Sequence, residues 1–298
     1  QPPAPPEPEV RRTAPKPSMI TFDALSTLIE PSVAIGLWYR ETLLKHCDYN
    51  VRLPRPAEFR KSFDAAFNRQ TDEFPCFGAL GNMSSEQWWY EVVCATYEGV
   101  DLGDEVAAET LQEKLPGLYQ ELYYDVFATE EGWSLLEDAE YTLEKLADWR
   151  DNGNGPLLGV ISSFDERLPS ILNRLGVGKY FDVVVTSREV KHETPAVEAF
   201  TAALTGAGLH STAPACHVGR SVGTDVAGAV AAGWTSILVD PDSIQHIRWP
   251  EEPIPELVDP DEAISDHWRD YYAGLKSDVD KALESTGFRP ITVGDITQ

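Results

Sequence analysis

The chain has 298 residues, and 24 Lys and Arg against 49 Asp and Glu give it a formal net charge of −25. That length suits one α/β domain carrying an inserted smaller domain, and so acidic a surface repels phosphate backbones, which excludes nucleic-acid binding by charge alone. No apolar run is long enough to span a bilayer, and the four cysteines (Cys47, Cys76, Cys94, Cys216) contain no CxxC pair, which argues against a zinc site or a disulfide framework.

Residues 1–17, "QPPAPPEPEVRRTAPKP", form a proline-rich arm that favours an extended polyproline conformation over helix or central strand. An apolar strand follows at residue 19 and ends on Asp23, with Thr27 in the turn beyond it. From residue 33 to 128 apolar and aromatic residues recur at helical spacing, as in Phe59, Phe63 and Phe67, so this stretch reads as a helical insertion. Trp88 and Trp89 within it are expected in its core, and Cys94 and Cys216 in apolar surroundings.

Beyond the insertion, helix and strand alternate: a helix over 135–152, a strand over 157–161, a helix over 167–175 and a strand over 181–187. The pattern continues with a helix over 196–206, a strand over 215–219, a helix over 225–232 and a strand over 235–240. Near-continuous apolar strands alternating with helices predict a parallel, doubly wound sheet. Ligands of such sheets bind at the carboxyl ends of the strands, and Asp23, Ser162 and Gly219-Arg220 all stand there. The tail from residue 243 reads as an acidic, turn-rich linker followed by an amphipathic helix around 264–283, which runs to the end of its register near Gly287.

Four ordered segments carry a resemblance. They are "MITFDALSTL" from Met19, "LLGVISSFD" from Leu157, "TSREVKHETPAVEAF" from Thr186 and "CHVGRSVGTDVAGAVAAGW" from Cys216. Together they resemble the haloacid dehalogenase (HAD) superfamily of aspartate-nucleophile hydrolases. The stretch "FPCFGALGNMSSEQWWYEVV" from Phe74 is similar to the cap of its type-three domain-containing subgroup. The resemblance implies an α/β HAD-like Rossmannoid core over 18–32 and 129–242, closed by a helical cap over 33–128.

By the same resemblance, Asp23 stands at the nucleophile position, Ser162 at that of the phosphoryl-binding hydroxyl and Asp225 at that of a motif-four carboxylate. Thr27 and Ser163 fall at substrate-binding positions. Three positions depart from the family pattern. Leu25 replaces the acid–base aspartate, a loss of about a hundredfold to ten-thousandfold where such catalysis is removed. Thr194 stands where the family has a lysine before proline, with Lys191 three residues upstream, and Arg220 replaces a magnesium-ligating aspartate. A guanidinium suits a pair of carboxylates, so Arg220 is expected to pair with Asp23 or Asp225 and to neutralise the site without metal.

The expectation is therefore a HAD-fold protein that is catalytically inactive and acts as a binding or structural subunit for a protein partner. It needs no cofactor, and the arm and tail are available for association. The alternative is a weak or altered phosphatase or dehalogenase using Asp23 as nucleophile, with magnesium if it is active. Unpaired cysteines and the lack of a secretory signal fit an intracellular setting, cytoplasmic or an organelle matrix such as the mitochondrial one; Gln1 leaves a removed leader open.

Overall fold

The computed structural model describes residues 16–47, 51–103, 106–239 and the backbone of 291–292. The proline-rich arm up to residue 15, the acidic linker and the expected tail helix lie outside the described residues. The chain enters its sheet at β1 (Met19–Phe22), which is buried on both faces. It turns into the short β2 (Ile29–Pro31) and leaves the core through the insertion. Helix α1 (Ile35–His46) is followed by α2 (Pro56–Glu73), which has proline in its first turn and Glu58 near its positive end. Its buried residues Phe59, Phe63, Ala66 and Gln70 form one helical stripe. In α3 (Ser85–Glu98) the Ser84 hydroxyl accepts the Gln87 N–H at 3.1 Å, a side-chain N-cap. Helix α4 (Ala108–Gln120) runs into a π-helical turn, Glu121–Val126. One apolar cluster, from Tyr39 to Leu122, joins these four helices.

The chain returns through β3 (Trp133–Leu135), which pairs antiparallel with β2, Ile29 opposite Leu135. The two ends of the insertion are thus clamped side by side. This pairing takes residue 135 out of the predicted helix, so α5 begins late (Ala139–Asp151), after Asp138 in the left-handed region. The remaining elements are β4 (Leu157–Ser162), α6 (Leu168–Arg174), β5 (Val183–Thr186), the single turn α7 (Ser187–Val190) and α8 (Val197–Gly206). After them come β6 (Ala215–Gly219), α9 (Ala227–Ala231) and β7 (Thr235–Leu238). The helix predicted over 225–232 is α9 preceded by a π-helical turn, Val222–Val226.

The sheet order is β5-β4-β1-β6-β7-β8, and every pairing is parallel. The outermost strand, β8 (Ile291–Thr292), was not foreseen from sequence; it brings the end of the tail back to β7. Two apolar clusters cover the two faces, one around Leu143, Leu158 and Ile171, the other around Met19, Phe200 and Trp234. At Gly159 the side chains of the flanking strands fill the space a side chain would take: a Cβ there would lie 2.7 Å from Met19 Cε and 2.9 Å from Val183 Cγ1. No described helix is long and apolar enough to cross a membrane.

Candidate functional site at the strand ends

Asp23 follows directly on β1, held by its N–H donating to Val218 O at 2.9 Å on the neighbouring strand. Beside it, the last residue of β4 presents Ser162, whose hydroxyl donates to Asp23 Oδ1 at 2.9 Å. Ser162 is thus a partner of the carboxylate; α6 has no side-chain cap. Asp225 comes from the π-helical turn after β6. Its Oδ2 accepts the Ser221 N–H at 2.8 Å, and the Thr224 hydroxyl stands 3.5 Å from Oδ1. The carboxylate lies flat on Gly219, where a Cβ would come within 2.3 Å of Asp225 Cγ, so only glycine lets the two meet.

The surroundings of the Asp23 carboxyl are desolvated, and the Asp225 charge faces it. Burial first and Asp225 second push the Asp23 pKa up to about 8, against the hydrogen bonds from Ser162 and the Ala24 N–H and the more distant Arg220 charge. Below the two acids lies a polar row across three strands. Thr21, His217 and Ser236 sit side by side in register, all fully buried. Thr21 Oγ1 and His217 Nδ1 are 2.8 Å apart, while Nε2 stands 3.5 Å from Asp225 Oδ1 without a hydrogen bond.

Other expected residues gather around this centre. The Ser163 and Thr194 hydroxyls are 3.3 Å apart, so both reach the same rim. The Thr27 hydroxyl is buried and has no hydrogen-bond partner among the described residues. Leu25 is 42 % exposed, an apolar side chain at the mouth. Lys191 is exposed, in a left-handed backbone conformation.

Arg220 corrects an expectation. It is exposed and makes no ion pair with Asp23 or Asp225 among the described residues. The physical reason lies in the loop: Asp225 is already occupied by the Ser221 N–H, and the extended Ser221 backbone (φ −100°, ψ 121°) carries the chain away. Even a guanidinium loses solvation on entering a desolvated place, and an exposed position keeps it hydrated.

Trp88 and Trp89 both pack in the cap cluster as expected, Trp88 fully buried and Trp89 half-buried at its edge. Trp88 is cap core, its indole N–H donating to Phe74 O at 2.9 Å, but Trp89 reaches across to donate to Asp165 Oδ2 at 2.7 Å. Cys94 is only half-buried, whereas Cys76, not singled out from sequence, is buried. Asp165 anchors a network that sequence reading missed. It accepts the Arg167 N–H and Nε at 3.0 Å each and Arg167 Nη2 at 2.7 Å. The guanidinium lies 4.0 Å from the Tyr123 ring and 5.3 Å from the Trp89 ring, and Nη1 donates to Tyr123 O at 3.2 Å. Ser85 donates to Glu166, Arg188 donates to the carbonyls of Phe77 and Met83 (the latter at 3.1 Å), and the Cys76 N–H donates to Glu193 Oε1 at 2.9 Å. The only sequence signal was "FDER", opposite charges two residues apart just beyond a strand end.

Magnesium takes hard oxygens in a near-octahedral array. The described residues bring two carboxylates to the strand ends, one of them already bonded to its own loop, and no group of three His, Cys, Asp or Glu is placed to hold a metal. That is fewer ligands than a self-sufficient protein cage; a magnesium ion held by this pair would take the rest of its shell from waters and substrate oxygens.

The apolar cleft between the cap helices and the strand ends has a volume of about 430 Å³ and opens beside Leu25, Ser26 and Ser163.

The sequence profile of the haloacid dehalogenase-like hydrolase family matches residues 18–233. Among curated proteins, haloacid dehalogenase-like hydrolase domain-containing protein 3 of Xenopus laevis is 30% identical over 253 residues, covering 80% of this chain and 95% of the relative. The Homo sapiens protein of that name is 31% identical over 221 residues, covering 74% and 81%. The rhythmically expressed gene 2 protein of Drosophila melanogaster is 29% identical over 236 residues, covering 77% and 85%. Among solved structures, a 2-haloacid dehalogenase of Pseudomonas syringae superposes with a TM-score of 0.51 at 23% identity, over 80% of this chain and 91% of that one. A Bacillus subtilis HAD-hydrolase bound to magnesium gives 0.52 at 17%, over 76% and 90%. These two likenesses bear on the fold alone. With the parallel sheet, the strand-end aspartate and the profile match together, the chain belongs to the haloacid dehalogenase-like hydrolase family.

Proposed function

We propose that this chain is a HAD-fold protein without phosphatase turnover, kept as a binding or structural subunit for a protein partner. One observation carries the reading: the three positions where the chemistry of such a site would be supplied hold Leu25, Thr194 and an outward-facing Arg220. The leaving oxygen would meet no acid at Leu25, and the developing charge would meet neither a lysine nor a metal. The state of Asp23 supports the same reading. Burial and the neighbouring Asp225 push its pKa up to about 8, so its carboxyl holds its proton far more tightly than an ordinary aspartate, and a carboxylic acid is a poor nucleophile. The expected arm and tail, outside the described residues, are the segments proposed for association.

The test is hydrolysis of an activated aryl phosphate, with and without magnesium, by the native chain and by Asp23→Asn. Both should stay at background, and magnesium should not raise the melting temperature, because an ion that does not bind the native state cannot stabilise it. Magnesium-dependent turnover that vanishes in Asp23→Asn would overturn the proposal. The intact Asp23–Ser162 hydrogen bond favours the second reading, a weak or altered hydrolase. Under either reading, the triple change Leu25→Asp, Thr194→Lys and Arg220→Asp is expected to raise turnover.

A further inference from the structure

The cleft between cap and core differs in kind from an anion site. At about 430 Å³ it is in the size range of small-molecule pockets. Its walls are aromatic: Phe67 and Phe77 lie 5.8 and 6.0 Å from Trp89, and Trp133 lies 5.6 Å from Phe164. Rings so placed offer flat faces and edges to another ring.

The charges that line the cleft are already matched. Arg60 Nε donates to both oxygens of Asp64 at 2.8 Å, and Arg167 is held by Asp165 through two guanidinium nitrogens. The Arg167 guanidinium has all three nitrogens engaged, and Arg60, exposed and bonded through Nε, is neutralised by the Asp64 charge beside it, so neither adds net positive charge to the cleft. Beyond the floor, Asp225 adds negative rather than positive charge, and the whole chain carries −25. An anion entering here would shed its water with no cation to replace it. A cation would find the one lining carboxylate, Asp64, already bonded to Arg60. The neutral polar groups at the wall are Asn68, Ser26 and Ser163, which suit a single hydroxyl or carbonyl. Leu25, 42 % exposed beside them, extends the apolar surface at the mouth.

We infer that this cleft binds an uncharged aromatic molecule of about two fused rings, its rings among Phe67, Phe77 and Trp89 and one neutral polar group toward Asn68 or Ser163. This deepens the non-catalytic reading above and rests on it, since the same cleft would face the substrate of a working hydrolase.

The experiment is calorimetric titration of the full chain at neutral pH with three probes sharing one ring system: 2-naphthol, 2-naphthyl phosphate and 2-naphthyltrimethylammonium. The neutral probe should bind at least about tenfold more tightly than either charged one, since each unmatched charge forfeits solvation worth more than 1.4 kcal/mol. Leu25→Asp, a change at an exposed position whose folding is checked by thermal unfolding, should weaken 2-naphthol by about tenfold, by placing a charge at the apolar mouth. Failure of 2-naphthol to bind, equal or tighter binding of a charged probe, or unchanged 2-naphthol affinity in Leu25→Asp would each overturn the inference. Release of naphthol from 2-naphthyl phosphate, lost in Asp23→Asn, would instead overturn the non-catalytic reading and leave the ranking of affinities to judge the ligand class.

Discussion

Raising the pH from about 5 to about 8 should lower the melting temperature of the native chain, and Asp23→Asn should remove most of that fall. The folded pKa of Asp23 is raised, to about 8 from 3.8, so between those values the native state holds a proton that the unfolded chain has released. Stability contributed by such a proton is full at low pH and is lost as the pH rises. At pH 7 the strain amounts to at most about 4 kcal/mol, from 1.36 kcal/mol per pKa unit. Asparagine keeps the shape and can still accept the Ser162 hydrogen bond, yet it has no charge to bury beside Asp225. The variant should therefore melt higher than the native chain at pH 8, by a smaller margin at pH 5, the two converging as the pH approaches the unfolded value. Thermal unfolding of both chains across that range decides the matter; parallel curves would mean that Asp23 is solvated and ordinary.

Asp165→Ala should be the most damaging single change outside the apolar core, costing about 3–5 kcal/mol, as expected when one partner of a buried ion pair is removed. It leaves Arg167 charged, 11 % exposed and without its carboxylate, and it orphans the Trp89 indole N–H. The double change Asp165→Leu with Arg167→Met should regain much of the loss, because removing both charges also removes their desolvation cost. The pH dependence has the opposite sign to that of Asp23. Burial alone would raise the Asp165 pKa, but the Arg167 charge and the hydrogen bonds outweigh it and hold the carboxyl below the usual range. Its stabilisation is present above the unfolded value and fades as the pH falls through the folded one. Asp165 thus favours pH above about 4 and Asp23 favours pH well below 8, so the chain should be most stable in mildly acid solution. Chemical denaturation of the single and double variants measures both effects.

The strands that carry the site were legible because their burial is written as continuous apolar runs: "MITF" and "LLGVIS" can satisfy their backbones while hiding both faces only inside a parallel sheet. Where such a strand stops, the chain meets the crevice, which is why Asp23, Ser162 and Ser163 were expected there, and β1 does end just before Asp23 and β4 on Ser162. Arg220 was expected there too. Its position in the chain follows from the same rule, but its direction depends on Asp225 being taken up by the Ser221 N–H, a contact with no periodicity to betray it. The β2–β3 clamp escaped notice because strands of three residues leave too short a pattern to read. Trp89 differs from Trp88 by 100° of helix rotation, and a helix that packs on one side and reaches across a cleft on the other hides the difference in a run of apolar residues. The proline-rich arm and the tail helix fall outside the described residues.

The loop at Cys76 has a consequence for how the two bodies come apart. Cys76 and Phe77 both sit in the left-handed region, at φ 53° and 52°, a conformation that costs a non-glycine residue about 1–2 kcal/mol. Besides the loop's own bonds, Gly78 N–H to Phe74 O at 3.0 Å and Ala79 N–H to Cys76 O at 3.1 Å, two partners come from the other body: Glu193 on the Cys76 amide and Arg188 on the Phe77 carbonyl. Any separation of cap from core would remove those two partners, so it is expected to be coupled to relaxation of this loop. The Cys76 amide proton, buried against a carboxylate of the opposite body, can then trade with solvent deuterium only during such an event. Its exchange rate is expected to report such a separation, readable at a single residue without any ligand, substrate or catalytic turnover.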